Sequence, residues 1–173
     1  AKAYLGQYIL PGNIKINDFE SDALTVNPYL GYDGIKPFVD FCESEGKGIF
    51  VLVRTSNPSA VDFQDIKTID NKFLYEKVAQ KVSEWGKTTI GHYGYSSVGS
   101  VVGATWPQQS ENLRKEMPST IILVPGYGAQ GGGADDAAAA FDKSGKGAIV
   151  NASRSLMCAY KNTVIKSGNN KEN

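Results

Sequence analysis

The segment Val124-Pro125-Gly126-Tyr127-Gly128-Ala129-Gln130-Gly131-Gly132-Gly133 gathers glycines where the chain leaves an apolar run and enters a more polar one. A loop of this kind can bring backbone N–H groups against an anion. Gly126, Gly128 and Gly131 satisfy G-x-G-x-x-G literally, the spacing of a dinucleotide-binding turn. That use also calls for an acid about 20 residues on, at the end of the next strand, to hold a ribose hydroxyl. The chain there reads Val150-Asn151-Ala152-Ser153, and Gln130 occupies the turn that a pyrophosphate would have to approach. One phosphate group fits better. Gln130 can donate an amide N–H from this loop, and Arg154, just after Asn151-Ala152-Ser153, can offer a two-pronged donor from the next. Tight turns and a solvated arginine would account for the same residues, so both readings stand at this point.

A second loop, Arg54-Thr55-Ser56-Asn57-Pro58-Ser59-Ala60, is rich in hydroxyls and amides. Such groups orient a polar ring by hydrogen bonds without acid or base strength, although Asn-Pro with a capping serine also makes an ordinary turn. Thr25-Val26-Asn27-Pro28-Tyr29 reads as a strand-end turn before Gly31. His92, in Gly91-His92-Tyr93-Gly94, has no carboxylate or second histidine beside it, and no Ser-His-Asp order, His-x-x-x-His pair or acidic metal cluster occurs. No metal site is expected. The residues are binding groups without an obvious proton-transfer group.

The elements that would position these loops follow from the apolar pattern. Strands are expected at Ala23 to Val26, Gly48 to Val53, Val98 to Ala104, Thr120 to Val124 and Ala148 to Val150. Ile-Phe-Val-Leu-Val and Ile-Ile-Leu-Val carry no polar alternation, as in parallel strands covered on both faces. Helices are expected between them: Ile35, Phe38, Val39 and Cys42 before Gly46; Leu74, Val78, Val82 and Trp85 before Gly86; and a shorter one at Leu113 and Met117 closed by Pro118. Asp135-Asp136, four alanines and Lys143 match a helix dipole, and Ser155 to Tyr160 supplies a last helix. Ala3, Tyr4, Gln7 and Tyr8 suggest an opening helix with no strand before it, and the tail 166–173 reads as disordered. Five βα units suggest an α/β fold, either an open doubly wound sheet or part of an eight-stranded barrel. In such a barrel the last two βα loops commonly make a phosphate site.

Charge and composition narrow the partners. The 173 residues carry 18 basic and 18 acidic side chains, one histidine and 41% hydrophobic residues. That is a globular composition with no net field to collect nucleic acid or an anionic membrane surface. No apolar run approaches the roughly 18 residues of a membrane span. Cys42 and Cys158 stand far apart outside any Cys-x-x-Cys spacing, and are expected to be reduced, buried and structural, as in a cytoplasmic protein.

Taken in order, Leu24-Thr25-Val26-Asn27-Pro28-Tyr29-Leu30-Gly31, Val51-Leu52-Val53-Arg54-Thr55-Ser56-Asn57-Pro58, Val101-Val102-Gly103-Ala104-Thr105, Pro125-Gly126-Tyr127-Gly128-Ala129-Gln130-Gly131-Gly132 and Asn151-Ala152-Ser153-Arg154 closely resemble the later strands of orotidine 5'-phosphate decarboxylase over about residues 1 to 161. The resemblance implies a (β/α)8 TIM barrel, of which residues 1–165 would supply roughly the last five βα units of one domain. It implies a carboxy-lyase of pyrimidine synthesis that converts orotidine monophosphate to uridine monophosphate and CO2 with no metal or organic cofactor. Ser56 matches the hydroxyl that bonds the pyrimidine, Pro125 the proline beside it, Gln130 and Arg154 the phosphate-gripping pair, and Ala129 to Ala134 the flap over the phosphate.

The family's Asp-x-Lys-x-x-Asp array, at the end of the third strand, holds the lysine that protonates the carbanion and the aspartate that crowds the substrate carboxylate. It is expected to lie outside these 173 residues, just upstream of a helix like Ala1 to Tyr8, and neither Lys2, Lys15 nor Lys161 takes its place. No catalytic residue is therefore assigned to this chain, which alone is expected to be inactive. The expected partners are the upstream part of the same polypeptide and, since the family works as a dimer, a second copy. A nucleotide-binding half-barrel without turnover, or a related barrel enzyme acting on another phosphorylated compound, are the alternatives.

Overall fold

The computed structural model describes residues 1–6, 8–16, 19, 21–128 and 130–161. A one-turn helix α1 (Lys2–Leu5) leads into a hairpin of β1 (Tyr8–Leu10) and β2 (Ile14–Ile16). Then come β3 (Ala23–Val26), α2 (Tyr32–Glu45), β4 (Gly48–Arg54), the short α3 (Val61–Gln64), α4 (Leu74–Trp85), β5 (Ser96–Val102), α5 (Pro107–Glu116), β6 (Thr120–Val124), α6 (Ala134–Ala138), β7 (Ala148–Val150) and α7 (Ser153–Met157).

Strands β3 to β7 form one parallel sheet in the order of the sequence. That order decides between the two α/β architectures. A doubly wound sheet reverses strand order at a switch point, whereas an unbroken order with right-handed crossovers keeps every helix on one face, as in a barrel wall. The alternation agrees. Ile49, Val51, Val98, Val102, Ile122 and Val124 are buried and join one core with Ile35, Val39 and Cys42 of α2, Tyr75, Ala79 and Val82 of α4, and Leu113 of α5. Each fully buried aliphatic side chain of this kind contributes roughly 1.5–3 kcal/mol. The residues between them, Phe50, Leu52, Ile121 and Leu123, are only half-buried, so the opposite face of the sheet is less covered. Among the described residues β3 and β7 are the sheet's edges, and Ile149 of β7 is 50% exposed.

Local chemistry sets the helix starts. The Phe73 N–H donates to Glu76 Oε2 at 2.7 Å ahead of α4, and the Gly133 N–H donates to Asp136 Oδ2 at 2.8 Å ahead of α6, each satisfying an N–H that the helix itself leaves free.

Several sequence expectations are corrected. The opening helix stops at Leu5, and Tyr8 belongs to a strand; Gln7 lies outside the described residues. Gly6 is extended and packs so closely on Phe41 that a Cβ there would come within 2.6 Å of the ring, while Gly12 and Asn13, at φ of 90° and 60°, supply the positive-φ pair that turns the hairpin. The third predicted strand begins at Ser96 and ends at Val102, leaving Ala104 in the following loop. The helix at Asp135 ends at Ala138, so Lys143 is not in its last turn. Asp142 instead organises that segment, its Oδ1 accepting the N–H groups of Ser144 and Lys146. The last helix starts at Ser153. Cys42 is buried as expected but Cys158 is partly exposed. The tail 166–173 lies outside the described residues.

Candidate functional site

Parallel strands deliver all their C-terminal ends to one end of the sheet, where each is followed by a loop. Ser56 stands two residues beyond β4 and is wedged between the backbones of its neighbours' loops. A Cβ on Gly103, after β5, would lie 2.7 Å from Ser56 Cβ and 2.8 Å from its Cα; one on Gly126, after β6, would lie 2.9 Å from Ser56 Cβ. Both glycines are therefore required by close approach. The same point off Gly126 is 3.3 Å from Ser56 Oγ and 3.1 Å from Gln130 Oε1, so the serine hydroxyl and the glutamine amide, 74 residues apart in sequence, converge over one backbone atom.

Ser56 is held from behind. A register shift between Leu52 and Arg54 leaves Val53 and Arg54 both buried, the usual effect of a bulge that re-aims a side chain. The fully buried Arg54 guanidinium meets Asp65 Oδ1 at 2.9 Å and donates to Asp65 Oδ2 at 3.3 Å and Gln109 Oε1 at 2.8 Å. Its carbon lies 4.0 Å from the Trp106 ring centre. Trp106 donates its indole N–H to the Thr55 carbonyl at 2.9 Å, and Gln64 both accepts the Thr55 N–H at 3.0 Å and donates to its hydroxyl at 2.8 Å. Thr55, the residue before Ser56, is thus tied through N–H, carbonyl and hydroxyl.

The glycine loop folds back on itself. The Gly128 N–H donates to the Gly132 carbonyl at 2.8 Å, and the Gly132 N–H to the Gly126 carbonyl at 3.2 Å. Pro125 is half-buried at its base, its carbonyl accepting the Ala104 N–H at 2.8 Å. Gln130 is exposed, and Ala129 lies outside the described residues. Helix α7 abuts this loop: a Cβ on Gly128 would be 3.3 Å from Ser155 Oγ. The neighbouring Arg154 is exposed, and among the described residues its guanidinium donates no hydrogen bond and forms no ion pair. His92 is an exposed residue in the loop before β5, hence at the far end of the sheet, with its ring edge-on to Tyr93.

The family model for orotidine 5'-phosphate decarboxylase / HUMPS matches residues 7–164. The chain belongs to that family. It is 52% identical over 164 residues to the orotidine 5'-phosphate decarboxylase of Caldicellulosiruptor saccharolyticus, covering 95% of this chain and 53% of that protein. With the enzyme of the same name from Rhodopirellula baltica it shares 50% over 161 residues, again 53% of the relative's length. The solved structure of Leishmania donovani OMP decarboxylase superposes with a TM-score of 0.66 at 33% identity, over 79% of this chain and 49% of that one. The chain therefore spans about half the length of the relatives it matches, and its five-stranded sheet is part of the decarboxylase family's α/β barrel.

One correction concerns the family's Asp-x-Lys-x-x-Asp array. Its literal spacing does occur here once, at Asp65-Ile66-Lys67-Thr68-Ile69-Asp70. The structure puts it in the α3–α4 connection, not at a strand end, and its charges are engaged by neighbours. Asp65 pairs with Arg54, Lys67 Nζ lies 5.5 Å from the Phe73 ring centre, and Asp70 is bonded by Lys77 and Thr68. Those bonds, the lysine's foremost, hold the Asp70 carboxyl below the usual range. In this structure the match is not an array at a strand end. Sequence reasoning also gave no role to Arg54, Gln64, Gly103 or Trp106. An arginine ending an otherwise apolar strand was the one available signal.

Proposed function

We propose that the protein is an orotidine 5'-phosphate decarboxylase, releasing CO2 from orotidine monophosphate to give uridine monophosphate, and that this chain supplies the pyrimidine and phosphate sides of its site. The observation that carries the proposal is the convergence of Ser56 and Gln130 over Gly126, at the end of the sheet where barrel enzymes keep their chemistry. In this reading Ser56 bonds the pyrimidine edge, Pro125 packs beside it, Gln130 and the exposed Arg154 grip the phosphate, and loop 129–134 covers it. Phosphate binding, remote from the reacting carbon, then helps to close the loop and hold the ring in a dry site whose charges favour a carbanion-like transition state. The lysine that protonates that carbon and the aspartates beside it come from outside this chain, with the remaining strands. Residues 1–165 act as part of one domain. Two free thiols fit a reducing compartment such as the cytoplasm. A second copy completes the homodimer, which sedimentation of the intact protein would test.

The deciding experiment compares uridine monophosphate with uridine by calorimetry in the intact protein and in Arg154→Ala. Loss of a charge-assisted phosphate contact of roughly 1.5–3 kcal/mol weakens the nucleotide about 10- to 150-fold and leaves the nucleoside unchanged. Equal losses for both would remove the phosphate assignment. The lack of an assigned catalytic lysine among these 173 residues favours one second reading, a nucleotide-binding half-barrel without turnover. Binding of uridine monophosphate with no release of CO2 from orotidine monophosphate by the intact protein would establish it.

A further inference from the structure

The Arg54 cluster has a cost that packing alone does not explain. A fully buried guanidinium must be desolvated, and hydrophobic residues of the same volume often stabilise as well or better. What distinguishes this one is where its partners lead. Asp65 and Gln64 anchor it on the far side of the loop, Trp106 covers its face at 4.0 Å, and Trp106 and Gln64 in turn bond all three polar groups of Thr55. The Arg54 carbonyl itself accepts the Gly103 N–H at 2.8 Å, fixing the glycine whose missing side chain gives Ser56 its space.

We infer that Arg54 is a positioning residue that sets the Ser56 hydroxyl against the pyrimidine ring, acting through Trp106, Gln64 and Thr55 without touching the substrate. The inference rests on the assignment of Ser56 to the ring. A guanidinium is needed for it: the planar fork reaches Asp65 and Gln109 at once and stacks on the indole, and the point charge of a lysine cannot do all three.

The test is a double-mutant cycle on the intact protein, read by titration with uridine monophosphate and with ribose 5-phosphate. Ser56→Ala removes one hydroxyl hydrogen bond and weakens uridine monophosphate about 2- to 12-fold. Arg54→Lys is expected to weaken it by a similar factor, to leave ribose 5-phosphate unchanged, and to make a further Ser56→Ala substitution nearly silent, because coupled residues are non-additive. Additive losses, or an equal loss of ribose 5-phosphate, would overturn the inference. Amide hydrogen exchange separates it from the reading beneath it. If Ser56→Ala alone changes nothing, the ring assignment fails, and the clamp is then judged by exchange in Arg54→Lys. Faster exchange at Thr55 and Gly103 with Ile122 unchanged sustains the clamp, and unchanged exchange at those two overturns it.

Discussion

Replacing Gly126 by alanine tests the site's geometry with a control inside the same loop. Gly126 and Gly131 have nearly the same positive φ, 92° and 97°, so alanine meets a left-handed penalty at each, about 1–2 kcal/mol. Their surroundings differ. Among the described residues a Cβ at Gly131 has nothing within 4 Å, whereas at Gly126 it would lie 2.9 Å from Ser56 Cβ and 3.1 Å from Gln130 Oε1, well inside the ordinary carbon contact of about 3.5–4.0 Å. Overpacking of this kind costs roughly 1–3 kcal/mol. Ser56 cannot yield freely, since Thr55 is tied at three groups and Gly103 closes the other side. The extra strain must therefore appear as lost stability, or as a displaced Ser56 and a loss of about 5- to 150-fold in ring binding. Urea unfolding of the intact protein reads the first, and titration with uridine, which lacks the phosphate, reads the second. Gly126→Ala should fall below Gly131→Ala in one or both, the two deficits together amounting to about 1–3 kcal/mol. Equal stability and equal uridine affinity in the two variants would refute the convergence of Ser56 on the glycine loop.

Three further expectations follow from individual groups. Burial, with the Glu43 charge second, pushes the Cys42 thiol up to about 11; at pH 8 its thiolate is roughly 100-fold scarcer than that of a thiol with an ordinary pKa. Alkylation followed by mass spectrometry should modify Cys158 first and Cys42 only on unfolding. The Asp142 carboxyl is held below the usual range by the Tyr95 hydroxyl first, then by the Lys146 N–H and the Ser144 hydroxyl. A lowered folded pKa contributes stability above the unfolded value, near 3.9, and that contribution is lost as pH falls toward the folded one. Thermal unfolding of Asp142→Asn should therefore lose less stability than the parent protein between about pH 4 and pH 2, and parallel curves would refute the assignment. Lys67→Met should leave decarboxylation by the intact protein within about twofold, because Lys67 sits on an exposed face over Phe73 and surface changes of this kind are worth about 0.5 kcal/mol or less. A collapse of turnover would make the 65–70 segment catalytic after all.

The strands were legible as unbroken apolar runs, although the structure buries one face of the sheet more fully than the other, and Thr120–Val124 and Ala148–Val150 emerge at the residues expected. The opening hairpin was not. Ala3 and Tyr4 do form one helical turn, and the contact at its end, Gly6 against Phe41, spans 35 residues of chain. Ser56, Pro125, Gln130 and Arg154 were legible as polar or special residues past strand ends, and the structure brings Ser56 and Gln130 together while leaving Arg154 exposed on the adjoining helix α7. Arg54 was illegible for a physical reason. An arginine at a strand end ordinarily points to water, and only the register shift after Leu52 turns this one inward. The 65–70 spacing misleads in the opposite sense, since a pattern of charges carries no information about which partners will engage them.

The ladder of the sheet does not stop where the strands stop. The Gly103 N–H donates to the Arg54 carbonyl at 2.8 Å, the Ala104 N–H to the Pro125 carbonyl at 2.8 Å, and the Asn151 N–H to the Val124 carbonyl at 3.2 Å. Two of these bonds join a strand end to the loop beside it and one joins two neighbouring loops, so the segments carrying Ser56, Pro125 and Arg154 are registered to one another by backbone. Side chains in such a site need not search for their geometry, which is what preorganised binding requires. The same continuity distributes any disturbance. A substitution that moves Gly103 moves both the carbonyl it bonds and the serine it makes room for, and Ala104, one residue on, carries the shift to Pro125. Loops joined in this way should lose ring and phosphate affinity together when the backbone is disturbed, and separately when only a side chain is removed.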